Sequence, residues 1–361
     1  MSAPMSKPKI AVVLFNLGGP DSPEAILPFL RNLFSDPAIL RVPPFVRPFL
    51  ARTIAGAREA PARENYALLG GRSPLLELTR VQASAIEAAL PELEARCFVA
   101  MRYWHPFSAE VAREVMAWDP DHVVLLPLYP HFSTTTTGSS LTAWRDAVVE
   151  AGLVKPVTTL CCYHDDPAFI AASAAILRHS HDAARAALDP AVGLRILFSA
   201  HGLPEVIVAA GDPYQAQIEA SVVALVAASG LEAADAVTCY QSRATPQKWI
   251  GPSTDEEVER AGADGVAVLV VPVAFVSDHS ETLVELDVEY RELAEKHHVP
   301  GYFRVPTQNG DAGFIAAMAG LVRRALAYGP GLCRAGSPCA IGRRDCPHRR
   351  AGLDPQDRVA A

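Results

Sequence analysis

The chain contains no apolar run long enough to cross a bilayer. The longest, such as Val266–Val276, extend about 11 residues and carry a proline, whereas a spanning helix needs about 20. Met1–Ile10 holds no apolar signal core, so secretion is not expected. Positive charge is not in excess: 32 Lys and Arg against 40 Asp and Glu give a net charge of −8, which argues against a nucleic-acid binder. No GxGxxG opens a helix and no GxxxxGK[ST] occurs, so nucleotide use is unsupported. No GxSxG elbow is present either. Cysteine is sparse and odd in number, seven in 361 residues, with Cys333, Cys339 and Cys346 close to the end. In a cytoplasmic chain such a cluster suggests metal binding more than disulfides.

What is present is apolar. Hydrophobic residues make up 50% and charged residues 20%, enough for a sizeable core. The length suits two compact lobes at about 150 residues per domain. Valine- and leucine-rich runs predict strands at Ile10–Leu17, Cys97–Tyr103, His122–Tyr129, Val157–Tyr163, Leu194–Ala200, Ala236–Tyr240, Val266–Phe275 and Tyr302–Pro306. Amphipathic stretches between them, such as Leu76–Leu90, Pro167–Ala187 and Pro213–Ala228, predict helices. Near-continuous apolar strands alternating with helices imply parallel sheets covered on both faces. The fold class expected is therefore α/β, with two similar doubly wound, Rossmann-like lobes of four-stranded parallel sheets. Residues 1–165 form the first lobe and 166–311 the second. A helix over 312–328 is expected to pack back on the body, ahead of a Cys-rich tail, 329–361.

The halves echo one another. Leu14-Phe-Asn-Leu-Gly-Gly-Pro20 parallels Leu197-Phe-Ser-Ala-His-Gly-Leu-Pro204. Leu126-Pro-Leu-Tyr-Pro130 parallels Val271-Pro-Val-Ala-Phe275, each followed by a serine-rich turn. Ligands in doubly wound sheets bind at the carboxyl ends of strands, where all four turns should lie. His201 should then point into the cleft between lobes, as a base or a metal ligand, or else simply cap a helix. The turn Ser277-Asp-His-Ser-Glu281 fits a helix cap, but a cap does not explain Asp278, His279 and Glu281 together. Glu281, Glu285 and Glu289 recur every four residues and should line one helix face, which Asp278 can share. That row is either a solvated acidic face or a guide for a cation. Arg102-Tyr103, and the segment Cys239–Pro246 followed by Trp249, put aromatics and arginine at strand ends, suiting a flat apolar ligand that carries acids. Arg41–Ala51 is proline-rich, apolar and flanked by arginines, and is expected either as an irregular loop packed on the core or as an apolar lip over a hydrophobic pocket or a membrane-facing patch.

These residues resemble a known family. Phe198-Ser-Ala-His-Gly-Leu-Pro204, Phe275-x-Ser-Asp-His-x-Glu-Thr-Leu-x-Glu-Leu-Asp287, Asn16-Leu-Gly-Gly-Pro20, Leu69-Gly-Gly-Arg-Ser-Pro74 and Thr136-Thr-Gly-Ser-Ser140 are similar to segments of ferrochelatases, in the same order, over about residues 10–328. The resemblance implies a lyase-type metal chelatase that inserts ferrous iron into protoporphyrin IX, the last step of haem biosynthesis, releasing two protons. It implies His201 and Glu281 as the catalytic pair and as the metal-handling residues, with Asp278, His279 and Glu285 supporting them. Arg58, Tyr66, Ser73, Leu17, Arg102, Tyr103 and Trp249 match porphyrin-contacting positions. Fe2+ is the implied substrate; a 2Fe-2S cluster on Cys333, Cys339, Cys346 and one of Cys161 or Cys162 is expected from the cysteines themselves, since Thr134 and the tail spacing depart from cluster-bearing relatives, with a zinc site or free thiols as the alternatives. The expected location is cytoplasmic, with peripheral membrane contact through Phe45, Val46, Phe49 and Leu50; no nucleic acid partner is expected, and a homodimer is allowed. The alternatives are a coproporphyrin III ferrochelatase, a cobalt chelatase on the same fold, and a tetrapyrrole carrier with His201 as axial ligand.

Overall fold

A computed structural model describes residues 7–232, 235–242 and 247–336. The apolar runs form β1 (Lys9–Asn16), β2 (Glu94–Met101), β3 (His122–Pro127), β4 (Val157–Leu160), β5 (Leu194–His201), β6 (Ala236–Gln241), β7 (Ala267–Pro272), β8 (Tyr302–Arg304) and β9 (Gly331–Cys333). One sheet has the order β2-β1-β3-β4-β9 and the other β6-β5-β7-β8, and every pairing is parallel. Each sheet thus carries its first strand between its second and third. The order in which strands are added reverses between β1 and β3 in one lobe and between β5 and β7 in the other, the switch points at which such sheets bind ligands.

The first sheet has five strands where four were expected. The fifth, β9, comes from the Gly-, Arg- and Cys-rich tail, and pairs Leu332 with Thr159 and Cys333 with Leu160. Three residues without an apolar run carry no strand signal of their own; the exposed edge of β4 supplies the template. Predicted strands β3 and β7 stop earlier than expected, at Pro127 and Pro272, where a missing N–H ends the ladder.

Helices cover both sheets: α1 (Ile26–Ser35), α2 (Arg47–Leu68), α3 (Leu75–Ala88), α4 (Ser108–Trp118), α5 (Thr137–Ala151), α6 (Pro167–Ala187), α7 (Glu205–Ala209), α8 (Tyr214–Ser229), α9 (Thr254–Asp264), α10 (Tyr290–Lys296) and α11 (Ala312–Tyr328). A π-helix, Glu281–Glu289, leads into α10. The Asp166 carboxylate caps α6 by accepting from the Ala168 and Phe169 amides, and Ser253 with Glu256 forms a capping box on α9. The lip is not wholly irregular: α2 starts inside it at Arg47, with Pro48 in the first turn, where a missing N–H costs nothing.

The largest of several apolar clusters runs through both lobes. It joins Val12, Leu14 and Leu126 of the first sheet to Ile196, Phe198 and Leu269 of the second, by way of α3, α6, α8 and α11. Polar ties reinforce it. Asp212, ahead of α8, accepts from the Ser133 hydroxyl at 3.0 Å and from the Thr134 amide at 2.7 Å. Gln82 of α3 reaches the turns after β7 and β8. The carboxyl ends of both sheets are therefore held against one another.

Candidate active site

The buried run of β5 ends at His201. Gly202 follows where space is tight: a Cβ there would lie 3.0 Å from the Gln241 carbonyl oxygen and 3.1 Å from the Trp249 ring. Trp249 thereby closes over the strand end, its ring centroid 6.4 Å from that of His201. The His201 Nδ1 lies 2.7 Å from the Gly202 carbonyl oxygen. A carbonyl only accepts, so Nδ1 carries the hydrogen and Nε2 faces the cleft. There Nε2 is 3.8 Å from Oε1 of Glu281.

The turn after β7 brings a second imidazole to the same carboxylate. His279 Nδ1 sits 3.2 Å from the Ser277 carbonyl oxygen, and its Nε2 is 3.4 Å from Oε2 of Glu281. Phe275 packs on the ring at 4.7 Å. Glu281 is thus bracketed by two imidazoles whose Nδ1 hydrogens are both committed to backbone. If both were neutral, two bare lone pairs would face an anion. The arrangement calls for a proton or a cation between these groups.

Glu285, one step down the π-helix, accepts from the Gln241 amide at 3.0 Å and the Ser242 hydroxyl at 2.6 Å. The two carboxylates differ sharply. Burial alone would push Glu281 up, but the His201 and His279 imidazoles overcome it and hold the carboxyl at about 2. Burial, and then the charge of Glu281, raise Glu285 to about 7. One is therefore anionic across the physiological range, and the other gains or loses a proton near neutrality. Glu289 is exposed and accepts from Asn65 at 3.2 Å. Asp278 is turned away from this row. It pairs with Arg304 at 3.1 Å and accepts from Asn309 Nδ2 at 2.8 Å and from Thr282 at 2.9 Å. Arg304 also grips Asp287 through two nitrogens, at 2.6 and 2.8 Å, so Asp278 anchors the π-helix instead of joining its acidic face.

The opposite wall comes from the first lobe. Leu17, after β1, packs with Ile26, Phe29, Leu30 and Tyr66. Tyr66 engages Ser280, beside Glu281, and its phenol is pushed up to about 12 by burial. Ser73 is buried against Gly19, where a Cβ would approach its side chain to 2.5 Å, and this lets the Asn16–Pro20 turn close. Arg102 and Tyr103 face inward: Asp36 accepts from the Arg102 guanidinium at 2.7 Å, from the Tyr103 hydroxyl at 2.8 Å and from Ser139. Arg58 is exposed on α2. Phe45 and Phe49 of the lip are 77% and 78% exposed, Val46 is also exposed, and Leu50 is half-buried. The structure therefore brings His201, His279, Glu281, Glu285, Tyr66 and Trp249 together, with Leu17 packed near Tyr66 and Ser73 against Gly19 on the first-lobe side. Residues 243–246, part of the expected aromatic and arginine segment, lie outside the described residues.

The cysteine expectation is modified. Alternation along β4 predicts that Cys161 and Cys162 point to opposite faces. They lie just past the end of the strand, where alternation no longer holds, and their sulfurs are 3.3 Å apart. The Cys161 amide donates to the Cys333 carbonyl at 2.9 Å. All three thiols are buried. Cys339 and Cys346 lie outside the described residues. Among the described residues, no three or more His, Cys, Asp or Glu side chains are arranged as a metal-ion site. Gln82, Gln241, Ser242, Arg304 and Asn309 support the site without having been singled out in the sequence. Amides and hydroxyls at isolated positions carry no spacing pattern, and only Gln241 and Ser242, within the segment after Cys239, could have been suspected.

A ferrochelatase family model matches residues 9–326. A ferrochelatase from Caulobacter vibrioides is 50% identical over 347 residues, covering 94% of this chain and 98% of its own. One from Phenylobacterium zucineum is 51% identical over 348 residues, covering 94% and 98%. Among solved structures, the sirohydrochlorin chelatase SirB from Bacillus subtilis subspecies spizizenii, in complex with cobalt, superposes with a TM-score of 0.52 at 11% identity. It covers 89% of this chain and 96% of that one, a likeness of fold alone.

Proposed function

The chain belongs to the ferrochelatase family, and from that premise we propose that it inserts ferrous iron into protoporphyrin IX, the last step of haem biosynthesis, with release of two protons. The observation that carries this reading is the Glu281 carboxylate held between the Nε2 atoms of His201 and His279 at 3.8 and 3.4 Å, opposite an apolar wall. Lobes 1–165 and 166–311 each supply one side of the cleft. A porphyrin is flat and apolar, and Leu17, Tyr66 and Trp249 suit its faces. Pyrrole N–H groups are very weak acids, so the shape of the cleft must bend the macrocycle to expose its nitrogens. His201 Nε2 accepts one proton. Glu281 meets the iron, and Glu285, poised at about 7, takes the second proton. Anaerobic ferrous iron with protoporphyrin IX should abolish free-porphyrin fluorescence faster than it does with coproporphyrin III. A reversed preference would reassign the substrate, and no loss with either would remove the activity.

We further propose that the lip touches a membrane surface and that the remaining body is cytoplasmic. Among the described residues no helix is long and apolar enough to cross a bilayer. Phe45 and Phe49 would each gain about 2 kcal/mol on leaving water, and Arg41, Arg47 and Arg52 flank them to meet anionic headgroups. Wild type should float with anionic liposomes, and Phe45→Glu/Phe49→Glu should not. Equal, negligible flotation of both would remove the membrane contact.

We further propose a 2Fe-2S cluster near β9. Cys161 and Cys162 lie side by side, the Cys161 amide bonds to the carbonyl of the buried Cys333, and Gln217 Nε2 donates to the Cys162 sulfur at 3.6 Å. The Cys161 thiol, His164 and Arg334 lower the Cys162 thiol to about 5 against burial, favouring the thiolate such a cluster needs. Cys333 with one of Cys161 or Cys162 would hold it, the expected remaining ligands being Cys339 and Cys346. Anaerobically purified protein should carry about two iron and two sulfide per chain, and Cys333→Ser should lose both. Colourless, sulfide-free wild type from iron-replete cells would sink the cluster and leave the chelatase reading intact.

A further inference from the structure

Gln82 lies in the middle of α3, a first-lobe helix, and is fully buried. A buried primary amide must place two hydrogens and at least one oxygen lone pair. All of them go to the second lobe. Nε2 donates to the Val276 carbonyl at 3.0 Å and to the Asn309 carbonyl at 2.9 Å, and Oε1 accepts from the Ser277 hydroxyl at 3.0 Å. Val276 and Ser277 belong to the turn carrying His279 and Glu281, and Asn309, after β8, bonds to that turn at Asp278. The Ser277 carbonyl receives the His279 Nδ1 hydrogen, so whatever holds Ser277 also sets the ring and its tautomer. Asn309 sits in left-handed backbone at φ 42°, accepts from the Asp278 amide at 3.0 Å, and donates to the Asp278 carboxylate at 2.8 Å. A strained residue of this kind persists only where its surroundings over-determine it. Gln82 is one of those constraints.

The same helix also carries the opposite wall. Its first residue, Leu75, bonds through its amide to the Ser73 hydroxyl, and Thr79, one turn before Gln82, accepts from Asn16 at 3.0 Å. One rigid helix therefore touches the Asn16–Pro20 turn at one end and the metal-handling turn at its middle. We propose that Gln82 is a positioning residue that registers His279 and Glu281 against the porphyrin wall of the first lobe. The proposal rests on the chelatase reading above. Gln82 touches neither substrate. It acts through Ser277 and Asn309, and a displacement of about an ångström at the reacting groups costs on the order of 100-fold.

Gln82→Met keeps the volume and removes the amide. Turnover should fall at least tenfold, while porphyrin affinity, read by quenching of protein fluorescence with metal-free protoporphyrin, stays within twofold. Ser277→Ala removes only one of the three bonds and should show a smaller loss in the same sense, which guards against a Gln82 variant that fails to fold. A second readout needs no turnover. In protein labelled with 15N-histidine, the His279 ring signal should move in Gln82→Met and the His201 signal should not. A Gln82→Met enzyme with wild-type turnover and an unmoved His279 signal overturns the proposal, as does a loss of porphyrin affinity equal to the loss of turnover. A wild type that metallates no porphyrin sinks the chelatase reading instead, and the histidine signals still decide whether Gln82 sets the turn.

Discussion

His201→Ala is expected to lower iron-insertion turnover by 100-fold or more, the range for removing a positioned proton acceptor, with the fold intact. The side chain is 36% exposed. Besides Glu281 its contacts are the Gly202 carbonyl and the tilted ring of Trp249, and the hydrogen bond to the carbonyl contributes about 1 kcal/mol. Porphyrin affinity should hardly change, because the apolar wall across the cleft is untouched. The pH profile should change as well. In the native site the His201 imidazole is the strongest influence holding Glu281 down against burial. Without it the Glu281 carboxyl rises from about 2, so the pH at which Glu281 loses its charge moves upward. An enzyme that needs Glu281 ionised then loses its residual activity on acidification earlier than wild type does. Steady-state kinetics from acid to neutral pH, with metal-free porphyrin binding as the control, checks both effects. Turnover above a tenth of wild type would show that His201 is not the essential acceptor.

Much of the scaffold was legible because parallel strands buried on both faces must be apolar almost without interruption. His122, Val157, Leu194, Ala236 and Tyr302 all begin strands where the sequence placed them. The paired turns at Asn16–Pro20 and His201–Pro204 follow β1 and β5, which hold the same place in their sheets, as their likeness suggested. Strand β9 was not legible, because its three residues depend on the edge of β4. The lip was half legible. Proline marks both loops and first helical turns, and Pro48 does the second.

The site divides in the same way. His201, His279, Glu281 and Glu285 were visible as titratable groups at strand ends, where ligands bind. Four-residue spacing cannot tell a π-helix from an α-helix, so the acidic row was read without its true backbone. Nor does spacing show what a carboxylate faces: Asp278 turns to Arg304 and Asn309, and Arg102 and Tyr103 turn to Asp36. Gln82 was invisible, since its partners lie 194 to 227 residues away in the chain.

Glu281→Gln should lose turnover by about 100-fold with porphyrin affinity within twofold of wild type, the pattern of a group that acts in the chemical step. The replacement is isosteric, and its amide can donate to the bare Nε2 of His201 or His279, so the turn keeps its shape while the negative charge disappears. Glu285 reports that loss. Burial is the larger cause of its rise to about 7 and the charge of Glu281 the next. A proton acceptor must be ionised to act, so wild-type turnover should climb with pH through about 7 as Glu285 loses its proton. With glutamine at 281 the repulsion is gone but the burial remains. The limb should therefore move to lower pH without reaching the range of an exposed carboxyl. Turnover against pH in both proteins, under anaerobic ferrous iron at saturating porphyrin, reads the shift. If Glu281→Gln keeps its turnover and only weakens porphyrin binding, Glu281 is a wall of the cleft. If turnover falls but the limb stays at about 7, the second proton does not leave through Glu285.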